Sequence, residues 1–180
     1  GIDPASIRLV ILTHLHIDHA SAIADFPDST LIVTANEWEA ATSGAMPFRE
    51  GYRREQFDYA FDYRTVSFDT DDVNSYASFG RTIDLFGDGS IRLASTSGHT
   101  SGHQSLIVRL KDRDMVIGGD AVYLSSQLEP GSDLPGRIVD EHNFRRSLQE
   151  LRLFHSQYPE SVITPGHDKA FYDSAPAIWE

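Results

Sequence analysis

The sequence predicts a layered α/β fold. Short apolar runs rich in branched residues alternate with segments of helical periodicity, the pattern of sheet layers covered by helices. Gly87-Asp88-Gly89 separates two apolar runs, a strong hairpin signal. Residues 141–158 place Phe144, Leu148, Leu151, Phe154 and Tyr158 on one helical stripe.

Taken in order, residues 7–12 (IRLVIL) read as a buried strand and 31–34 (LIVT) as a second. Residues 36–42 (NEWEAAT) read as a short helix with Asn36 as its N-cap. Residues 82–86 and 90–95 form the two arms of the hairpin, and 104–110 pairs with 114–117 around the charged turn Lys111-Asp112-Arg113. After the amphipathic helix, residues 161–164 (SVIT) form a last strand. Residues 48–79 carry Phe48, Tyr52, Phe57, Tyr59, Phe61, Tyr63, Phe68, Tyr76 and Phe79. They read either as helical core packing or as an apolar lid or groove that receives a chain-like ligand. No internal repeat or low-complexity segment is present.

Composition narrows the function classes. At 180 residues one domain with a sizeable core is expected. Hydrophobic residues make up 40%, yet no run approaches the roughly 18 apolar residues of a membrane span. A net charge of −12 argues against nucleic acid or an anionic membrane surface as partner. The absence of cysteine excludes disulfides and thiolate ligands.

The chemistry is concentrated in His14-Leu15-His16-Ile17-Asp18-His19, directly after the first apolar run. In extended chain, residues two apart share a side, so both His14 and His16 can grip one metal. Asp18 and His19 follow once the chain has begun to turn and can face a second position. Farther on stand His99, Asp120 and His167. Imidazole nitrogen and carboxylate oxygen are zinc ligands, and a hydrolytic site leaves one position for water. Asp120 ends a strand-like run after Gly118-Gly119; a buried acid there is costly unless paired or metal-bound. A carboxylate has two oxygens and can bridge two cations about 3.5–4 Å apart.

His14-x-His16-x-Asp18-His19, Gly98-His99-Thr100-Ser101-Gly102-His103, Gly119-Asp120 and Pro165-Gly166-His167 together resemble the metallo-β-lactamase superfamily, in the family's order and across nearly the whole chain. The resemblance implies an αββα sandwich with two zinc ions at one edge, which iron, cobalt or manganese could replace. It assigns His14, His16 and His99 to one metal, Asp18, His19 and His167 to the other, and Asp120 to both. It further implies that only about a dozen residues precede the first motif where the family has most of an N-terminal sheet. This reading therefore expects one metallo-hydrolase domain over residues 1–180, forming the C-terminal two-thirds of the fold, with an N-terminal segment of the same protein elsewhere.

Asp120-Ala121-Val122-Tyr123 and the run from Gly98 through Leu106 look like the N-acyl homoserine lactonases of that superfamily, although the family usually has Pro where Ser101 stands. True β-lactamases usually have a cysteine, or no bridging acid, at the Asp120 position. The lactonase resemblance implies that hydroxide bridging the two metals attacks a lactone carbonyl. Tyr123 would donate to the developing oxyanion and Asp18 would guide a proton to the leaving oxygen. Alternatively, Tyr123 is a packing residue. The rival readings are a thioester, ester, phosphodiester or β-lactam hydrolase on the same ligands, and a non-catalytic metal-binding domain. The anion-binding rivals generally carry basic residues near the C-terminus, and here Lys169 alone follows Arg152. His103 reads as a structural hydrogen-bonding residue and not a ligand, and His142 and His155 as solvated. Asp168 reads as either a partner of a ligand or a loop cap. The expected partner is a small-molecule substrate, with homodimerisation left open. A cytoplasmic location is expected, with periplasm or secretion left open.

Overall fold

A computed structural model describes residues 1–43, 50–59, 62–132, 134 and 137–179. Phe48 and Phe61 of the aromatic segment lie outside them. The chain forms two compact units, residues 1–67 and 68–180.

The first unit holds a three-stranded parallel sheet in the order β1 (Leu9–Ile11), β2 (Thr30–Thr34), β3 (Asp62–Val66). Helices α1 (Ile17–Ala20), α2 (Ala35–Ser43) and α3 (Arg54–Phe57) complete it. β1 is shorter than its apolar run, and each of its residues is only half-buried. Among the described residues it pairs with β2 alone, so the expectation of a buried strand over residues 7–12 is corrected. β2 is the buried centre: Leu31 and Val33 are fully enclosed. Around it pack Leu12, Leu15, Ile23, Tyr52 and Phe57. The N-cap expectation is also corrected. Asn36 lies inside α2, and the Thr34 hydroxyl instead accepts from the Glu37 amide at 3.1 Å, since the helix begins one residue earlier.

The second unit holds a six-stranded sheet in sequence order: β4 (Asn74–Tyr76), β5 (Phe79–Asp84), β6 (Ile91–Ser95), β7 (Gln104–Arg109), β8 (Asp114–Gly119) and β9 (Val162–Pro165). Neighbours run antiparallel except β8 and β9. Both expected hairpins are present. The first has a longer turn than its sequence suggested, because β5 ends at Asp84, β6 begins at Ile91, and Phe86 is exposed between them. Gly87 and Gly89 there have φ of +74°, a left-handed conformation that only glycine adopts cheaply.

Helix α4 (Glu141–Gln157) covers this sheet through Phe144, Leu148, Leu151 and Phe154, all at most 1% exposed. Each such burial is worth about 1.5–3 kcal/mol. Tyr158 leaves the stripe because the helix ends before it, and it is 38% exposed. A short helix α5 (Lys169–Ser174) follows β9.

The aromatic segment is not a helical block. Of its described residues, Phe57 ends a one-turn helix, Tyr63 and Tyr76 lie on β3 and β4, Phe79 begins β5, and Tyr52, Tyr59 and Phe68 lie between elements. Phe57, at the end of α3, and Phe79, at the start of β5, are buried in the cores of their units, whereas Tyr59, in the bend after α3, is exposed. Among the described residues no helix is long and apolar enough to cross a membrane.

Candidate metal centre

In the first unit the donors come from the turn between β1 and α1. His16 is the N-cap of α1, in extended backbone (φ −64°, ψ 158°), so the chain passes from strand to helix inside the motif. The ring centroids of His14 and His16 lie 4.6 Å apart, and those of His14 and His19 4.0 Å. The three imidazoles therefore form one cluster. His14 and His16 are buried, while the Asp18 side chain is 53% exposed, with Oδ2 3.7 Å from Nε2 of His19.

Three contacts hold this turn. Thr13 Oγ1 sits 3.1 Å from Nδ1 of His14 and orients the ring. A bridge pairs His16 with Tyr52. The Leu15 amide, between the two histidines, donates to Oε1 of Glu37 at 2.9 Å. Glu37 has no exposed surface, and the sequence reading missed it. The one available signal was Thr34-x-x-Glu37, which reads as a capping box and would have pointed to the helix start instead of the histidine turn.

In the second unit three loops at strand ends supply the donors. The loop after β6 carries His99, the residue after β8 is Asp120, and the residue pair after β9 ends in His167. Nε2 of His99 and Nε2 of His167 lie 3.3 and 3.2 Å from the same oxygen, Oδ2 of Asp120. His99 and Asp120 are buried, whereas the His167 side chain is 39% exposed.

Nδ1 of His99 lies 3.2 Å from the Arg137 carbonyl and 2.9 Å from the Tyr123 hydroxyl. A carbonyl can only accept, so that nitrogen donates, and the lone pair of the neutral ring is on the Nε2 that faces Asp120. The Tyr123 ring stacks on His167 at 5.1 Å between centroids. Its amide is held by Oε1 of Gln127 at 2.7 Å. Tyr123, Leu124, Gln127, Leu134 and His167 line a cleft of about 610 Å³.

Close backbone approach is part of this arrangement. Gly98 has φ of +133°, and a Cβ there would fall 2.2 Å from the Phe144 amide nitrogen. A Cβ on Gly166 would fall 2.4 Å from Oδ1 of Asp120. The other histidines divide as expected from sequence. His103 bonds to Thr96 and to the Asp120 amide, His142 is exposed and His155 half-exposed. Asp168 is a loop cap. It accepts from the amides of Phe171 and Ser125 at 3.1 and 2.9 Å, and the Ser125 bond leads in holding its carboxyl below the usual range.

The donor set fits a divalent cation. Each unit presents imidazole nitrogens with carboxylate oxygen beside them, the nitrogen-and-oxygen set that suits zinc and its first-row neighbours.

Comparison with known proteins agrees. An N-acyl homoserine lactonase AttM of Rhizobium radiobacter is 35% identical over 170 residues, covering 93% of this chain and 60% of that relative. A probable metallo-hydrolase of Mycobacterium tuberculosis is 29% identical over 185 residues, covering 97% of this chain and 59% of that relative. A solved N-acyl homoserine lactone hydrolase, with N-hexanoyl-L-homoserine at its catalytic metal center, superposes with a TM-score of 0.76. It is 24% identical and covers all of this chain and 63% of that one. The chain thus spans about three-fifths of the length of the curated relatives it matches. Residues 1–167 match the sequence profile of the metallo-beta-lactamase superfamily, and the chain belongs to that superfamily.

Proposed function

We propose that this chain carries the metal-binding part of a metal-dependent hydrolase that opens the lactone ring of N-acyl homoserine lactones. The observation that carries the reading is the grouping of His99, Asp120 and His167 with Tyr123 against two of them, beside an apolar-sided cleft. The names of the relatives supply the substrate class.

In this reading His14, His16, Asp18, His19, His99, Asp120 and His167 are the residues that would hold the metal, two zinc ions in this proposal. When bound, the metals supply Lewis acidity toward a carbonyl oxygen and a nucleophile at neutral pH. The chain's own groups do the rest. Nδ1–H of His99 is directed at the Arg137 carbonyl and at the Tyr123 oxygen. In that polarity Tyr123 accepts from the imidazole, and its own O–H turns away from the ring. That proton is placed to reach an oxyanion developing in the cleft, a contact commonly worth about 10²–10³ in rate. Asp18, the most exposed of the four first-unit donors, would take the proton that the attacking water gives up and pass it to the leaving oxygen. Leu124 and Leu134 give the cleft an apolar wall against which an acyl chain lies.

Two measurements test the reading on the intact protein. Elemental analysis after gentle purification gives about two metals per chain; folded protein with none, unaffected by chelator, overturns it. A panel of homoserine lactones, thioesters, β-lactams and phosphodiesters gives preferential lactone hydrolysis. Turnover of a thioester without lactone turnover would move the assignment to another hydrolase of this superfamily.

A further inference from the structure

We infer that His103 is the positioning residue for Asp120, acting through a closed and fully polarised circuit of four hydrogen bonds that locks the backbone kink presenting the acid. The importance given to Asp120 rests on the metal-centre reading above; the circuit itself does not.

The members all lie in the second unit. Asp120 N lies 3.0 Å from Nε2 of His103. Nδ1 of His103 lies 2.9 Å from Thr96 Oγ1, which lies 2.8 Å from Ser105 Oγ. Ser105 Oγ lies 3.0 Å from the Gly118 carbonyl oxygen. Both ends have fixed roles, because an amide can only donate and a carbonyl can only accept. Ser105 therefore donates its one proton to Gly118 and accepts from Thr96. Thr96 in turn has spent its proton and must accept from Nδ1–H of His103. That leaves Nε2 with the lone pair that the Asp120 amide requires. One tautomer of His103 satisfies the circuit and the other breaks it at two bonds.

The circuit begins and ends on the same short stretch of chain. Between the Gly118 carbonyl and the Asp120 amide stands Gly119, with φ of +53°, and the β8–β9 register shifts between Ile117 and Gly119. Here β8 stops being a strand and turns its next side chain out of the sheet. Glycine enters this left-handed conformation without steric cost and leaves it as freely, so the neighbours must hold it. The clamp is enclosed. Thr96 and Ser105 are wholly buried and His103 is 1% exposed, so water does not compete for the bonds. Ser105 lies on β7, and Thr96 and His103 flank the β6 and β7 ends, where the Thr96 amide donates to the His103 carbonyl at 3.1 Å. The two histidines of Gly98-His99-Thr100-Ser101-Gly102-His103 thus divide their work: His99 faces the carboxylate of Asp120 and His103 holds its backbone.

The test uses the intact protein and two readouts. Imidazole ¹⁵N spectra of metal-free protein, with His103→Gln identifying the resonance, should show protonated Nδ1 and bare Nε2 at neutral pH. The opposite tautomer overturns the circuit, and this readout stands whether or not the protein binds metal. Chelator competition should then separate Thr96→Val from Thr96→Ser. Valine keeps the shape and loses the hydroxyl; serine keeps the hydroxyl and loses the methyl. The circuit requires valine to weaken metal affinity about 10–100-fold and to shift the His103 tautomer, while serine stays within about twofold of the parent. A packing role for Thr96 reverses that order, and either the reversed order or equal affinities overturns the inference. Absence of metal from the parent protein would instead refute the metal-centre reading and leave the tautomer result to decide the circuit.

Discussion

The two units solve one problem in opposite ways. The first packs His14, His16, Asp18 and His19 into six consecutive residues and needs only one strand-to-helix turn to group three imidazoles. The second draws His99, Asp120 and His167 from three loops separated by whole strands and a helix, and each loop needs its own support. Gly98 admits the backbone of α4, Gly166 admits the Asp120 carboxylate, and His103 ties down the Asp120 amide. Local grouping is cheap in chain entropy, whereas non-local grouping demands a finished sheet. Each gives both enclosed and open donors: His14 and His16 beside the exposed Asp18, and His99 and Asp120 beside the half-open His167. Damage to the second unit should therefore spread farther than damage to the first.

The largest expected effect is at Asp120. Asp120→Asn removes one charged oxygen from between two imidazoles and should weaken retention of both metals by more than the roughly 100-fold upper range for outer partners. His103→Gln should leave metal content after gentle purification nearly unchanged, its weaker grip appearing only under chelator. Equal loss of metal from the two purified variants would show that the ligand set is misassigned. Gly166→Ala tests the same point by space alone. Its methyl would sit 2.4 Å from Oδ1 of Asp120, so it should lower metal content although it removes no ligand; parent-like metal content would mean that the carboxylate position is not critical.

Next in size is Tyr123→Phe. The ring and its stack on His167 survive and the hydroxyl is lost. A fall of about one to three orders of magnitude in kcat/KM on N-acyl homoserine lactones, with metal content unchanged, is the expected outcome. A raised KM with constant kcat would assign the hydroxyl to orienting bound substrate, and lost thermal stability with unchanged kinetics would make it a packing group.

In the first unit the corresponding change is Glu37→Leu. It leaves the Leu15 amide without its acceptor in a buried site, a loss of about 1–3 kcal/mol. Glu37→Gln retains an acceptor oxygen and should recover most of it. Because this unit groups its donors locally, denaturation should register the leucine variant more strongly than metal content does. Metal loss that matches Asp120→Asn would break the contrast between the units.

How much of this was legible in the sequence follows the same division. The six-residue histidine motif, both hairpins and the long helix could be read because each is written in neighbouring residues: a repeat of two, a Gly-Asp-Gly turn, a stripe of Phe144, Leu148, Leu151 and Phe154. His99, Asp120 and His167 came from a family resemblance, since nothing local marks a residue for meeting another 47 positions away. Glu37 escaped notice because a glutamate on a short helix reads as solvated; only the fold brings the Leu15 amide to it. The aromatic segment misled for a related reason. Ring-rich stretches have no period of their own, and the neighbouring strands decided which rings were covered. Asn36 lost the cap to Thr34 because both residues can cap, and the start of the helix settles which one does.

The smallest expected effect is at the start of α4, the helix whose first turn faces Gly98. Asp140 caps it, accepting from the Asn143 amide at 3.0 Å and from the Asn143 side chain at 2.7 Å. Those bonds, the amide's first, hold its carboxyl below the usual 3.8. A carboxyl depressed by folding stabilises the native state above the unfolded-state pKa. That contribution is lost as the pH falls through the lower, folded-state value. Asp140→Ala should therefore unfold at a lower temperature than the parent at neutral pH, and the two curves should converge in strong acid. The Asp140 amide itself also bonds to the Gly98 carbonyl at 2.9 Å, a contact the alanine variant keeps. The loop bearing His99 should thus stay in place, with metal content unchanged while the helix start weakens. A gap between the curves that persists unchanged into strong acid would mean that the Asp140 side chain acts through packing and not as a charged cap.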